Sequence, residues 1–218
     1  MPGDAVCRIF CDAICSLRII AGTARGRRLF SPGSRGGGQS IRPTADRARE
    51  ALFNILGWEF VDNAAVLDLF AGTGAFGLEA LSRGAKEAVF VDHSALALDL
   101  IQKNITTCGF SDRAHVIRHD LLKGLFFWQK AGARAVNNGA TPAPVFDLVF
   151  LDPPYRKGLC EALLAGLQGQ GMLGNESVVV FEDESSQALP ERVGDLRLYD
   201  QRTYGDTGFW FYEKAQSG

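Results

Sequence analysis

The chain has 218 residues, five cysteines and a net charge of −2. That length suits one sizeable α/β domain with room for a proper core, and no apolar run approaches a membrane span. Five cysteines, an odd number, argue against a disulfide framework and for a reducing compartment, so the expected location is cytoplasmic. Cys7, Cys11 and Cys15 fall four apart, but this spacing matches no zinc or iron–sulfur pattern, and no metal is expected.

The charge is unevenly spread. Residues 18–49 hold eight arginines (Arg18, Arg25, Arg27, Arg28, Arg35, Arg42, Arg47, Arg49) against one acid, Asp46, or +7. Residues 50–218 hold 14 basic and 22 acidic side chains, or −8. A short arginine-only basic segment on an acidic body is the footprint of a nucleic-acid contact, because guanidinium suits phosphates and stacks on bases.

In chain order, residues 1–16 show no clear organisation. Leu17–Gly22 reads as a strand, Thr23–Gly26 as a turn and Arg27–Phe30 as a returning strand, which makes a basic hairpin arm. Ser31–Ser40 carries four glycines and reads as a loop; it lacks the Lys-Ser/Thr ending of a P-loop. After Arg42-Pro43, with Thr44 as N-cap and Asp46 in the first turn, a helix is predicted to about Leu56, burying Ala48, Leu52, Ile55 and Leu56.

A larger domain is predicted from residue 58 onward, its first strand Ala65–Phe70, then the turn Ala71-Gly72-Thr73-Gly74 and a helix over Phe76–Arg83. Strand, glycine turn and helix form the first βα unit of a nucleotide-binding fold. The second strand, Ala88–Val91, reaches Asp92, where a carboxylate could accept from ribose hydroxyls. A helix over Ala95–Thr107 and a third strand, His115–Arg118, lead to His119 and Asp120. Residues 124–145 are turn-rich and read as a surface insertion. A helix Leu159–Leu167, a fifth strand Ser177–Glu182 and an antiparallel hairpin, Leu196–Thr203 with Phe209–Glu213, complete a doubly wound, Rossmann-like α/β sheet.

The fourth strand ends abruptly in Asp152-Pro153-Pro154-Tyr155, because proline cannot donate to a ladder and restricts its predecessor. An acid and an aromatic ring at a strand's carboxyl end suit methyl transfer to an exocyclic amine. Such a nitrogen is a weak nucleophile until Asp152 and the Pro153 carbonyl fix its hydrogens, and Tyr155 offers a face for a base swung out of its stack. Asp68 reads as a support of the glycine turn, and His93 and His119 as bystanders.

RIIAGTARGRRL, RPTADRAREALFN, DLFAGTGAFGLEALSRGA, LDPPYRKG and YGDTGFWFYEK together resemble the RsmD family of class I methyltransferases, from Leu17 onward. The glycine turn and DPPY are shared with broader groups, and the two N-terminal motifs narrow the choice. The resemblance implies S-adenosylmethionine as cofactor, N2 of a guanine in bacterial 16S rRNA as substrate, and an assembling small ribosomal subunit as partner. It implies that Phe70, Ala71, Gly72, Thr73 and Gly74 cradle the methionine end, Asp92 the ribose, and Asp120 with Leu121 the adenine. Asp152, Pro153, Pro154 and Tyr155 would present the guanine, and Arg25, Arg27, Arg28, Arg42, Arg47 and Arg49 would hold RNA phosphates.

This sequence departs from the family's pattern in two places. Asp92 stands where many relatives carry Glu. Residues 1–16 have no counterpart, and relatives often begin with Met where this chain has Leu17, which suggests translation from that codon. A DNA adenine-N6 methyltransferase, a nicotinamide-dependent oxidoreductase built on the same glycine turn, and a ribosome assembly factor without catalysis stay open as alternatives.

Overall fold

A computed structural model describes residues 17–32, 43–125, 145–154 and 158–215. Its elements are α1 (Pro43–Leu56), α2 (Trp58–Val61), β1 (Ala65–Leu69), α3 (Ala75–Ser82), β2 (Glu87–Asp92), α4 (Ala95–Cys108) and β3 (Ala114–Arg118). After a 3-10 turn (Leu121–Lys123) come β4 (Phe146–Leu151), α5 (Cys160–Gly169), β5 (Leu173–Glu184), β6 (Arg192–Val193), β7 (Leu196–Tyr204) and β8 (Thr207–Lys214).

One sheet has the order β3-β2-β1-β4-β5-β8-β7-β6. The first five strands are parallel, β8 pairs antiparallel with β5, and β7 returns antiparallel to β8. Strands such as AVLDL are buried along their whole length because a parallel sheet is covered on both faces.

The period of two assigns side chains to two cores. Val66, Phe90, Phe150, Val180, Phe209 and Phe211 face a cluster that also holds Leu52 and Phe53 of α1, Leu78 and Leu81 of α3, and Ile101 and Ile105 of α4. Leu67, Leu69, Val91, Leu151, Phe181, Trp210 and Tyr212 face the other side, closed by Leu163, Leu164 and Leu167 of α5. Each such fully buried side chain contributes about 1.5–3 kcal/mol.

The basic hairpin expected over Leu17–Phe30 lies against the domain. It forms, with Arg18 bridged antiparallel to Arg28 and the Ile19 amide donating to the Arg27 carbonyl at 2.9 Å. Leu17, Ile19, Ala24 and Leu29 are buried in the same core as α1 and α3, so the hairpin is packed into the body of the domain. Its turn is pressed onto the end of α3. Gly22 takes φ +81, and a Cβ there would lie 1.7 Å from the Ser82 carbonyl oxygen, so only glycine fits.

Other strands extend beyond their expected ends. β5 starts at Leu173, ahead of the expected Ser177, and its pairing with β4 shifts register between Phe146 and Leu148. The short α2, the 3-10 turn and β6 carry too few residues to show a period. Residues 1–16, most of the glycine loop, Arg42 and nearly all of the 124–145 tract lie outside the described residues.

Candidate active site at the reversal of the sheet

Strand order reverses between β1 and β4, and in open α/β sheets ligands bind outside the carboxyl ends of the strands flanking that point. β1 ends at Leu69, and the chain turns through Phe70 at φ 59, Gly72 at φ 56 and Gly74 at φ 76. A positive φ at a residue as bulky as Phe70 is rare, and such strain persists where the surroundings enforce it. Here the Ala71 amide donates to the Val91 carbonyl at 3.1 Å and the Gly74 amide to the Ala71 carbonyl at 2.7 Å.

Three polar side chains hold this turn. Asp92, at the end of β2, accepts from the Gly72 amide at 3.0 Å through Oδ2 and from the Ser94 amide at 2.9 Å through Oδ1. Asn104 of α4, fully buried, donates to the Thr73 carbonyl at 2.9 Å. Asp68 lies underneath, accepting from the Gly77 amide at 2.9 Å, and burial above all pushes its carboxyl up to about 8.

The two glycines of the turn differ. A Cβ on Gly74 would meet the Phe90 ring at 3.2 Å, whereas one on Gly72 would meet nothing nearer than the Phe70 carbonyl oxygen at 3.8 Å. Gly74 is therefore backed by the core, while Gly72 leaves bare backbone facing open space. A bare turn beside a carboxylate suits a ligand bearing both charged and hydroxyl groups.

On the next strand, Asp120 starts the 3-10 turn and accepts from the Leu122 amide at 3.2 Å, with Leu121 buried behind it. The His119 amide donates to the Asp92 carbonyl at 2.9 Å, so the ends of β2 and β3 are tied together. The His119 ring contacts the Gly124 carbonyl at 2.8 Å.

Asp152 follows β4 at once. Leu151 pairs with Leu69, and the Asp152 amide reaches the Leu69 carbonyl at 3.4 Å. The acid thus stands alongside the start of the glycine turn. Pro153 is buried and Pro154 exposed; Tyr155 lies outside the described residues. Burial first, and the Asp183 carboxylate second, push Asp152 up to about 7.

Asp152 borders a narrow crevice, too tight to admit a water molecule, walled by Phe76, Phe150, Leu151, Val180, Glu182 and Phe209. Phe76 stacks on Phe150 with centroids 5.2 Å apart and meets Phe209 edge-on at 6.4 Å. The sequence reading did not single out Phe76 or Glu182. Phe76 could have been suspected as an aromatic one turn after the glycines, and Glu182 as an acid in the otherwise apolar run Val178–Phe181.

The described arginines of this segment divide into three groups. Arg18, Arg25 and Arg47 line a cleft of about 490 Å³ between the hairpin and α1, together with the acids Asp46 and Glu50. Arg27 and Arg28 are exposed, and the Arg27 guanidinium donates to the Thr107 carbonyl at the end of α4. Arg49 corrects the expectation of a phosphate contact, being only 3% exposed. Its Nη2 donates to the Arg18 carbonyl at 2.6 Å and to Asp46 at 3.0 Å, and Nε lies 3.9 Å from Glu79. Arg42 lies outside the described residues.

A doubly wound sheet with a reversed C-terminal hairpin, and a glycine turn facing an acid across its reversal, defines the Rossmann-like methyltransferase class. The chain belongs to the RsmD family: the family described as Conserved hypothetical protein 95 matches residues 17–213. It is 36% identical to Ribosomal RNA small subunit methyltransferase D of Escherichia coli over 210 residues, 93% of this chain and 92% of that one. A hypothetical protein of Thermus thermophilus, TTHA0928, superposes with a TM-score of 0.69 at 31% identity, covering 90% of this chain and 98% of the other. SMU.776, crystallised with SAH, shares the fold alone, with a TM-score of 0.61 at 15% identity over 86% of this chain and 54% of its own.

Proposed function

We propose that this chain transfers a methyl group from S-adenosylmethionine to the exocyclic N2 amine of a guanine in 16S rRNA. The observation that carries it is the adjacency of Asp152 to the turn Phe70–Gly74, with the Asp152 amide against the Leu69 carbonyl. The name of the Escherichia coli relative supports rRNA as the substrate class, and SMU.776 with SAH supports the cofactor. Such a reaction belongs to the cytoplasm, on naked RNA or an assembling small subunit.

In this reading Gly72 and Gly74 admit the methionine end, Asp92 takes the ribose hydroxyls with lone pairs left by its two backbone bonds, and Asp120 with Leu121 borders the adenine. S-adenosylmethionine, when bound, supplies an electrophilic sulfonium methyl. Asp152 and the Pro153 carbonyl accept the two amine hydrogens and turn the nitrogen's lone pair outward, and Tyr155 stacks on the base. As the N–C bond forms, Asp152 is placed to take the departing proton, since its carboxyl is already pushed up to about 7. Positioning and local electrostatics supply most of the acceleration.

Arg25, Arg27, Arg28 and Arg47 hold phosphates along the hairpin and α1, making residues 17–57 the RNA-binding segment. Incubating the protein with labelled cofactor and under-methylated small subunits, then analysing nucleosides, tests the reading. N2-methylguanosine is expected; methyladenosine alone would make this an adenine enzyme, and absence of any product would leave a binding factor.

A further inference from the structure

The cleft of about 490 Å³ between the hairpin and α1 falls within the size range of small-molecule sites, and it shares no lining residue with the crevice beside Asp152. Its two walls are fixed to each other from beneath. Arg49, buried, donates from α1 to the Arg18 carbonyl of the hairpin at 2.6 Å and to Asp46 at 3.0 Å. Gly26, on the hairpin wall, takes φ +80, and a Cβ there would meet nothing within 4 Å, so the space over the turn is open.

Charges of both signs line this gap without closing it. Arg25, Arg47 and Glu50 are exposed, and among the described residues their side chains make no hydrogen bond or ion pair. Arg18 is steadied by Asp46 at 3.6 Å, and Glu50 lies one helical turn beyond Asp46 on the same face of α1. A track for phosphates alone would be weakened by that second acid, since a carboxylate repels the strand it borders. A ligand with an anion at one end and N–H donors at the other satisfies both signs. A nucleotide has that form.

We infer that the cleft takes one unstacked nucleotide of the substrate RNA, distinct from the base that is methylated. Arg25 and Arg47 hold its phosphate, Arg18 stacks on the base, and Glu50 accepts from an exocyclic amine. Guanidinium suits both phosphate and the faces of bases, and a carboxylate reads the amine of cytosine. Uracil presents a carbonyl oxygen where cytosine presents that amine, so Glu50 favours cytosine over uracil. This rests on the reading of the chain as an enzyme that acts on RNA.

The test uses the full-length protein and two single-stranded RNA oligonucleotides of about ten nucleotides, all cytidine or all uridine, which carry equal phosphate charge. Fluorescence anisotropy at low salt is expected to show the cytidine strand bound about tenfold tighter. Glu50→Gln is expected to weaken cytidine binding about fivefold and to bring the two strands within about twofold, since its amide can also donate to a uracil carbonyl. Glu50→Asp, which keeps the carboxylate, should retain the preference. Glu50 is exposed, so the urea midpoints of both variants should match the wild type.

If Glu50 merely stands among phosphates, Glu50→Gln binds both strands tighter, and that result overturns the inference. So does an unchanged preference in Glu50→Gln, or a wild type that binds uridine as well as cytidine or binds neither. Methyl transfer is decided separately, by the labelled product from under-methylated small subunits, so the inference and the reading it rests on can fail apart.

Discussion

The fully buried Glu79 carboxylate accepts the backbone amide of Ile20 at 2.8 Å, and its other oxygen accepts that of Ala21 at 3.0 Å. The first of these oxygens also lies 3.9 Å from Arg49, and the second accepts from Arg83 at 2.8 Å. An acid on α3, the helix that starts at the glycine turn, thus seats the hairpin. Removing it leaves Arg83 and two amides without their carboxylate and takes one of two acids from Arg49. Glu79→Ala is expected to cost about 3–5 kcal/mol in urea denaturation, as breaking a buried pair does, and to speed amide exchange at Ile20 and Ala21.

Arginines on the cleft and in the core should separate by salt dependence. Arg25→Ala and Arg47→Ala are each expected to lower the slope of log K against log salt for RNA binding by about one. Arg49→Ala should leave the slope alone and destabilise the fold by about 3–5 kcal/mol, because Asp46 and Glu79 lose their common partner. Filter binding across a salt series, with urea melts alongside, checks both.

Gly72 and Gly77 offer a contrast between binding and packing. A Cβ at Gly77 would lie 2.4 Å from the Phe90 ring and 3.2 Å from Asp68 Oδ2, so Gly77→Ala should cost about 1–3 kcal/mol by overpacking. Gly72→Ala meets open space, and its cost to the fold is the φ +56 backbone, about 1 kcal/mol. Its larger effect should be on cofactor affinity, read by calorimetry.

In the proposed reaction the amine acceptor works as a carboxylate, and Asp152 is pushed up to about 7 by burial and Asp183. Transfer should therefore fall as pH drops below about 7, by about tenfold per unit once well below it. Asp152→Asn keeps one acceptor oxygen and should flatten that limb while lowering the plateau about 10²-fold. A pH series of kcat/KM on both proteins decides.

Asp68 gives a stability signature of the opposite kind from a salt-bridged acid. Its folded-state value is raised to about 8, so between about pH 4 and pH 8 the folded chain binds more protons than the unfolded one. This group's contribution is fully present below the unfolded value and is lost as pH rises through the folded one. Asp68→Asn, whose amide oxygen can still accept from Gly77, should flatten the decline in urea-melt stability over that window.

The sheet was legible because its central strands are apolar but for a single aspartate each, and because Gly72-Thr73-Gly74 and Asp152-Pro153-Pro154 punctuate β1 and β4 at the same end. The burial of Arg49 was not. Its helix stripe was read through Ala48 and Leu52, but Phe53, four residues after Arg49, is also buried, so the covered face is wider and takes in Arg49. The clue lay elsewhere, in Glu79 within the apolar helix AFGLEALS, an acid that burial obliges to find a cation.

Asn104 spends all its hydrogen-bonding reach on two segments far apart in the chain. Its oxygen accepts the Phe30 amide at 2.6 Å, and its nitrogen donates to the carbonyls of Phe30 at 3.0 Å and of Thr73 at 2.9 Å. One side-chain amide therefore acts as a hinge pin shared by the last stretch of the hairpin and the crest of the turn. Neither can swing away without loosening its neighbour, so the hairpin and the glycine turn keep a common alignment.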